Sequence, residues 1–210
     1  PEMPRRSLFH ALNLKATARK AAKELGKDFV DVTLVMGHLG GGISFAVQQN
    51  GRMIDITNPM DGGAFSPERT GNLPLSPLIE LCYSGQYTMQ EMIRKMIGKG
   101  GLVAHLGTDD AREVERRIDE GDEQAELVYK AMAYQIAKEI AAMTTVVNGE
   151  FDAIVLTGGL AYSRRLVGSR GRGDETPDQS AGWRIWQRQD RTDCESGFIY
   201  ATRRHDRRRD

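Results

Sequence analysis

Two short apolar runs in this chain each end in a cluster of glycines. The first is Val35-Met36-Gly37-His38-Leu39-Gly40-Gly41-Gly42-Ile43-Ser44, and the second is Ala153-Ile154-Val155-Leu156-Thr157-Gly158-Gly159-Leu160-Ala161. A short apolar run bounded by glycine reads as a buried strand that stops at a turn. Glycine after the strand lets backbone N–H groups approach an anion with no Cβ in the way. Two such loops on one α/β framework are what a phosphate clamp between two half-sheets would use. Neither run carries the Walker lysine or the dinucleotide GxGxxG pattern. Each taken singly is more often a tight turn, and it is the two together that bring the phosphate reading level with it.

The rest of the first 163 residues supplies that framework. Leu14, Ala18, Ala21 and Leu25 recur at helical spacing, and Gly26 can terminate the helix. Residues 29–36 read as a buried strand. Residues 43–49 and 52–57 read as two further strands, with Asn50-Gly51 between them as a hairpin turn. Residues 61–77 form a Gly/Pro/Ser loop, and helices are predicted near 76–84, 88–98 and 109–119. The clearest helix spans 122–148, with the stripe Val128, Met132, Ile136, Ile140, Met143 and Val147. Residues 153–157 are a short buried strand. The pattern predicts a mixed α/β sheet fed by a hairpin and covered by helices.

Composition divides the chain. Residues 1–163 hold all 8 Lys and all 9 Met, with 17 basic and 21 acidic residues. Residues 164–210 hold 12 Arg, both Trp and 8 acids, but no Lys and no Met. Leu, Val, Ile and Phe total 5 in those 47 residues, too few to offset the entropy of ordering them. A boundary is expected after Ser163, followed by disorder or isolated helical turns with Trp183 and Trp186 exposed. Over the whole chain 29 basic residues balance 29 acidic ones, which gives no global argument for a nucleic-acid or membrane-surface partner. No apolar run reaches the roughly 18 residues of a membrane span. Cys82 and Cys194 form neither a disulfide framework nor a metal-ligand spacing. These features suit a soluble protein of a reducing compartment, with a cytoplasmic location expected.

Three further segments could carry chemistry. In Asp61-Gly62-Gly63-Ala64-Phe65-Ser66-Pro67-Glu68-Arg69-Thr70-Gly71, an Arg on a rigid polar loop can clamp a phosphoryl oxygen bidentately. The plainer reading pairs Arg69 with Glu68 or Asp61. In Arg5-Arg6-Ser7-Leu8-Phe9-His10, a lone His near a helix start is more often structural or exposed. In Gly107-Thr108-Asp109-Asp110-Ala111-Arg112, the acids read as an N-cap and first-turn charges favoured by the helix dipole.

Taken in order, FHALN, HLGGGIS, DGGAFSPERTG, GKGGLVAHLGTDDAREV, AMAYQIAKEI and DAIVLTGGLAYS resemble the butyrate kinases of the acetate kinase family. That family lies within the acetate-and-sugar-kinase, Hsp70 and actin superfamily. The resemblance covers about residues 3–163. It implies a ribonuclease H-like (actin-like ATPase) lobe and ATP-dependent phosphorylation of a short-chain carboxylate, with Mg²⁺. Carried over, it assigns His10 to the transition state and Arg69 to the transferring phosphoryl group. It assigns His38, Gly40, Gly41 and Gly42 to the phosphate loop, and Asp110, Ala111 and Arg112 to adenosine. The second nucleotide loop falls on Gly158, Gly159, Leu160, Ala161 and Tyr162. It also implies a homo-oligomer and no nucleic-acid or membrane partner.

Relative to that family, a front lobe with its own phosphate loop is missing before Pro1, and the sequence after Ser163 departs from the family's ending as a shifted reading frame would. No metal ligand is therefore assigned. Butyrate is the expected acceptor, with acetate, propionate or a branched acid as alternatives. A non-catalytic nucleotide-binding, dimerising fragment is the other reading, and weak or absent turnover is expected of the chain by itself. A single-strand nucleic-acid binder built on the Arg-rich tail is disfavoured by the 8 interspersed acids.

Overall fold

The computed structural model describes residue 2, residues 6–167 and the strand residues 183–187 and 199–203. After α1 (Ala11–Glu24) come three strands, β1 (Leu34–Leu39), β2 (Ile43–Gln49) and β3 (Arg52–Ile56). A helical stretch follows: α2 (Leu75–Tyr83), α3 (Met89–Met96), α4 (Gly101–Leu106), α5 (Ala111–Asp119) and α6 (Glu123–Thr145). The chain then re-enters the sheet as β4 (Ala153–Thr157), turns through a 3-10 segment (Gly159–Tyr162) and forms the short α7 (Arg164–Val167). Two last strands are β5 (Trp183–Gln187) and β6 (Ile199–Arg203), and the sheet order is β3-β2-β1-β4-β6-β5.

Strand pleat sorts the apolar run of β1 onto two faces. Leu34 and Met36 join Leu14, Ala18, Ala21 and Ala22 of α1 in one core cluster. Val35 and Leu39 join Met132, Ile136 and Met143 of α6 in the other. The sheet is therefore a central layer with helices on both sides. The expected stripe is buried on α6 at Val128, Met132, Ile136 and Met143, with Ile140 packed against it, and continues to the buried Val147 in the turn after the helix ends at Thr145. The hairpin between β2 and β3 turns at Asn50 and Gly51, whose φ angles of 50° and 73° suit a type I′ turn. Helix starts follow their caps. Thr88 and Glu91 form a capping box on α3, and the side chains of Asp110 and Asp122 accept from Arg112 N and Ala125 N.

The element that positions the site is the pairing of β1 with β4. The two strands run parallel, with Gly37 opposite Leu156 and His38 opposite Thr157. Both strands thus end at the same edge of the sheet, and the glycine loops that follow leave side by side.

Several boundaries differ from the sequence expectation. The first strand begins at Leu34 rather than residue 29. Asp31 N donates to Asp28 O in a turn, and Asp152 Oδ2 accepts from Thr33 N, which pins the chain just before the strand. Residues 75–77 belong to α2 and not to the preceding loop; Pro77 sits in the first turn, where its missing N–H costs nothing. Helix α4 was not anticipated, because its glycine-rich start carries no side-chain cap. Where disorder or isolated helical turns were expected after Ser163, α7 is one helical turn. Beyond it β6 pairs antiparallel with β4, and β5 with β6. The free edge of β4 offers unpaired backbone groups that a strand-forming segment such as Ile199–Arg203 can satisfy. The side chains of Trp183 and Trp186 lie outside the described residues.

Candidate active site

Both glycine loops meet at the C-terminal ends of β1 and β4, the edge where open α/β sheets take their ligands. The meeting is close. Gly158 has φ of 90°, and a Cβ there would lie 2.4 Å from the Leu39 carbonyl oxygen. No other residue type fits that contact without moving backbone. Above the junction is a cleft of about 600 Å³, within the range of small-ligand sites. Gly40, Gly41 and Glu68 wall one side; Asp110, Ala111 and Arg112 wall another; Gly159, Leu160 and Tyr162 close it. Gly158 and Ala161, expected at the nucleotide, do not line the cleft. Gly158 packs on the β1 backbone, and Ala161 is buried in the core.

The Arg69 loop is pinned against the first glycine loop. Ser66 Oγ donates to Gly41 O at 2.6 Å, and Glu68 N donates to the same carbonyl at 3.3 Å. Arg69 N donates to Ser66 Oγ, and Thr70 N donates to Met96 O. The guanidinium lies over Gly42, where a Cβ would be 2.5 Å from Arg69 Cζ. Among the described residues Arg69 makes no ion pair, so the expected alternative of pairing with Glu68 or Asp61 is not adopted. Its Nη1 donates instead to Pro59 O at 3.4 Å, a long and weak contact. A half-buried cation held this loosely to protein is available to an anion.

His10 and His38 stack with ring centroids 3.8 Å apart and 18° between planes. His10 Nδ1 lies 2.8 Å from Ser44 Oγ, and His38 Nδ1 lies 2.9 Å from Asn13 Oδ1. Burial lowers the His10 pKa, and the Arg69 charge lowers it further. Burial also brings His38 down to about 4, with His10 as the second cause. Both imidazoles are thus neutral near pH 7 and offer hydrogen bonds without charge. Across the cleft, Asp110 accepts from Arg112 Nε and Nη2 at 3.0 and 2.9 Å, which keeps its carboxyl below the usual range. Glu68, Glu115 and Ser163 also line the cleft, while Asn13 and Ser44 hold the two imidazoles. Of these, Glu115 lies outside every motif quoted from the sequence, and Glu68 was named there only as an ion-pair partner for Arg69.

A family model described as the acetokinase family matches residues 3–169. The chain belongs to the acetokinase family. It is 53% identical over 167 residues to probable butyrate kinase 2 of Caldanaerobacter subterraneus subsp. tengcongensis, which covers 80% of this chain and 47% of that protein. Acetate kinase of Porphyromonas gingivalis superposes with a TM-score of 0.71 at 26% identity, covering 86% of this chain and 45% of that one. A propionate kinase from Francisella tularensis gives a TM-score of 0.67 at 23% identity, covering 79% and 47%. The acetokinase chain described here therefore has the actin-like ATPase fold of carboxylate kinases, and it spans about half the length of the relatives it matches.

Two outcomes test this geometry. In Gly42→Ala the new methyl must displace the Arg69 guanidinium, a flexible end, so thermal stability should change little. A crystal structure of the variant should show the side chain swung off the loop; an unmoved Arg69 would contradict the packing. The second outcome concerns pH. Folded His38 stays neutral down to about 4, whereas an ordinary imidazole titrates at 6.5, so the unfolded chain takes up a proton that the folded one refuses. Its share of stability is present at pH 7 and is lost as pH falls through that window. Melting temperature should drop from pH 7 to pH 5, and His38→Gln should shrink the drop.

Proposed function

We propose that the protein from which this lobe comes transfers the γ-phosphoryl group of ATP to a short-chain carboxylate, with butyrate the first choice. The observation that carries the reading is the Arg69 guanidinium, without an ion-pair partner among the described residues, beside two neutral imidazoles and a glycine-walled cleft. Butyrate is preferred over acetate, propionate or a branched acid because the 53% identical relative bears a butyrate kinase name. His38, Gly40, Gly41 and Gly42 would take the phosphates. Asp110, Ala111 and Arg112 would take the adenosine, with Gly159, Leu160 and Tyr162 opposite and Gly158 and Ala161 supporting that loop from beneath.

In the proposed reaction a carboxylate oxygen attacks the γ-phosphorus. A new O–P bond forms, and the bond to the β–γ bridging oxygen breaks with its electron pair leaving on ADP. The nucleophile is already ionised, so no general base is needed. Catalysis reduces to in-line positioning and stabilisation of charge on the equatorial oxygens. Arg69 would bind two of those oxygens. Ser44 Oγ accepts from His10 N at 3.4 Å and lies 2.8 Å from His10 Nδ1; in the tautomer where Ser44 donates to Nδ1, the Nε2 proton would donate to the phosphoryl group. Mg²⁺ is expected to screen the nucleotide's phosphates. Among the described residues no three His, Cys, Asp or Glu side chains converge to hold a metal, so no ligand for it is assigned in this lobe.

We place the kinase lobe at residues 1–163 and treat 164–210 as a divergent tail. A second reading is a nucleotide-binding fragment that dimerises, supported by the exposed apolar residues of α2. A cytoplasmic location goes with either reading, and neither uses nucleic acid or membrane. No described helix is long and apolar enough to cross a membrane. Self-association through residues 76–148 is supported by α2, which buries none of its residues. Leu75, Ile79 and Tyr83 are 73%, 56% and 88% exposed.

The deciding experiment places this lobe in a protein of the relative's full length and assays acyl phosphate as hydroxamate. Arg69→Ala should lower kcat roughly 10³-fold, and His10→Ala roughly 10²-fold, with little change in the KM for ATP. Near-normal turnover in Arg69→Ala would refute the assignment. For assembly, sedimentation of the 210-residue chain at micromolar concentration should give a dimer or larger species; a clean monomer would count against it.

A further inference from the structure

One carboxylate joins the two sides of the cleft. Glu115 Oε1, on α5, accepts the Tyr129 hydroxyl at 2.7 Å and also the Ser163 hydroxyl. Ser163 Oγ in turn accepts from Leu166 N at 2.9 Å, so the residue that closes the second glycine loop also caps α7. Tyr129 reaches this point from α6 and is 2% exposed. Burial pushes its hydroxyl pKa up, which keeps it a donor over the whole working range. Glu115 and Ser163 both line the cleft, and 48 residues of chain separate them. A second tie runs parallel on the surface, where Arg165 meets Asp119 at 2.5 Å.

Two hydroxyls on a single carboxylate oxygen form a charge-assisted pair of bonds, stronger than neutral ones. Leucine or alanine at position 115 would remove the charged acceptor of both hydroxyls and leave the buried Tyr129 hydroxyl only its longer 3.1 Å contact with Ser163 Oγ, a neutral partner. Leu160 and Ala161 are already buried in the core cluster that takes Val114 of α5, so the tie acts on the outer end of the second glycine loop, at Ser163.

We propose that Glu115 is a positioning residue, a latch that fixes the Gly158–Ser163 segment against α5 and thereby sets the spacing of the nucleotide cleft. The latch is a property of the lobe itself, and its effect on ligand rests on the nucleotide reading above. Tyr129 and Ser163 are its two donors. Gln at 115 keeps a carbonyl oxygen for both of them, whereas Ala keeps none.

The test uses the 210-residue chain with two readouts, backbone amide hydrogen exchange and MgADP affinity by calorimetry. In Glu115→Ala, exchange across 158–167 should rise about 10- to 100-fold, the scale of losing bonds to a charged acceptor. Exchange in α1 and β1–β3 should stay as it was. MgADP should bind about tenfold or more weakly, and Glu115→Gln should return both readouts most of the way. Tyr129→Phe keeps the buried ring and should give the same pattern at smaller amplitude, which serves if Glu115→Ala fails to fold. Unchanged exchange in 158–167, or a uniform rise over the whole chain, would overturn the latch. Equal loss of MgADP affinity in the Ala and Gln variants with quiet exchange would also overturn it, by making Glu115 a direct ligand contact. If the unaltered chain binds no MgADP, the nucleotide reading fails, and the exchange pattern still decides the latch.

Discussion

The parallel pairing of β1 with β4 is the interaction on which the rest of the lobe depends. In-register pairing from Leu34–Ala153 to His38–Thr157 makes both strands finish at one edge. Everything after each strand then begins within a few ångströms of the other. The close fit of Gly158 on Leu39 O is the tightest consequence. A parallel pair needs a long crossover, and residues 57–152 supply it as helices that cover one face of the sheet.

That crossover also carries much of the chemistry. The segment from Ala64 to Thr70 is buried or half-buried, and its backbone is satisfied by partners outside it. Phe65 N donates to Gln135 Oε1 of α6, and Pro67 O accepts from Val103 N of α4. An irregular loop held this way is as rigid as regular structure. Arg69 can therefore be kept over Gly42 without an acidic partner, which would otherwise neutralise it and compete with an anionic ligand. The stacked His10 and His38 complete the same logic. Two rings 3.8 Å apart beside a guanidinium cannot all carry charge in a half-buried place, and the imidazoles are the groups that yield.

The opposite wall is organised by charge-assisted bonds between elements. Asp110 both caps α5 and engages Arg112, while Glu115, one turn further on, engages Tyr129 and Ser163. One short helix thus presents a solvated ion pair at its start and an interior latch behind it. The family likeness covers this arrangement as a whole, since the matched residues 3–169 contain both walls.

Local signals in the sequence were enough for the elements whose causes are local. Asn50-Gly51 specifies its hairpin through the left-handed conformations these residues tolerate, and the α6 stripe specifies a buried helix through its period. The two glycine runs are visible as local motifs, whereas His10, Arg69 and Asp110 became site candidates only through the family resemblance. What tertiary structure alone decided is non-local. The first strand starts at Leu34 because Asp152, across the chain, holds Thr33. Ala161 is core rather than ligand wall because the fold buries it in the hydrophobic cluster shared with β1, α6 and α7 residues. Arg69 has no acidic partner among the described residues, His10 stacks on His38, and Glu115 meets Ser163 because the β1–β4 register and the packing of α5 on α6 bring them together. Contacts between residues dozens of positions apart leave no periodic trace in either segment. They exist only once the sheet has closed, and the working geometry of the cleft is made of them.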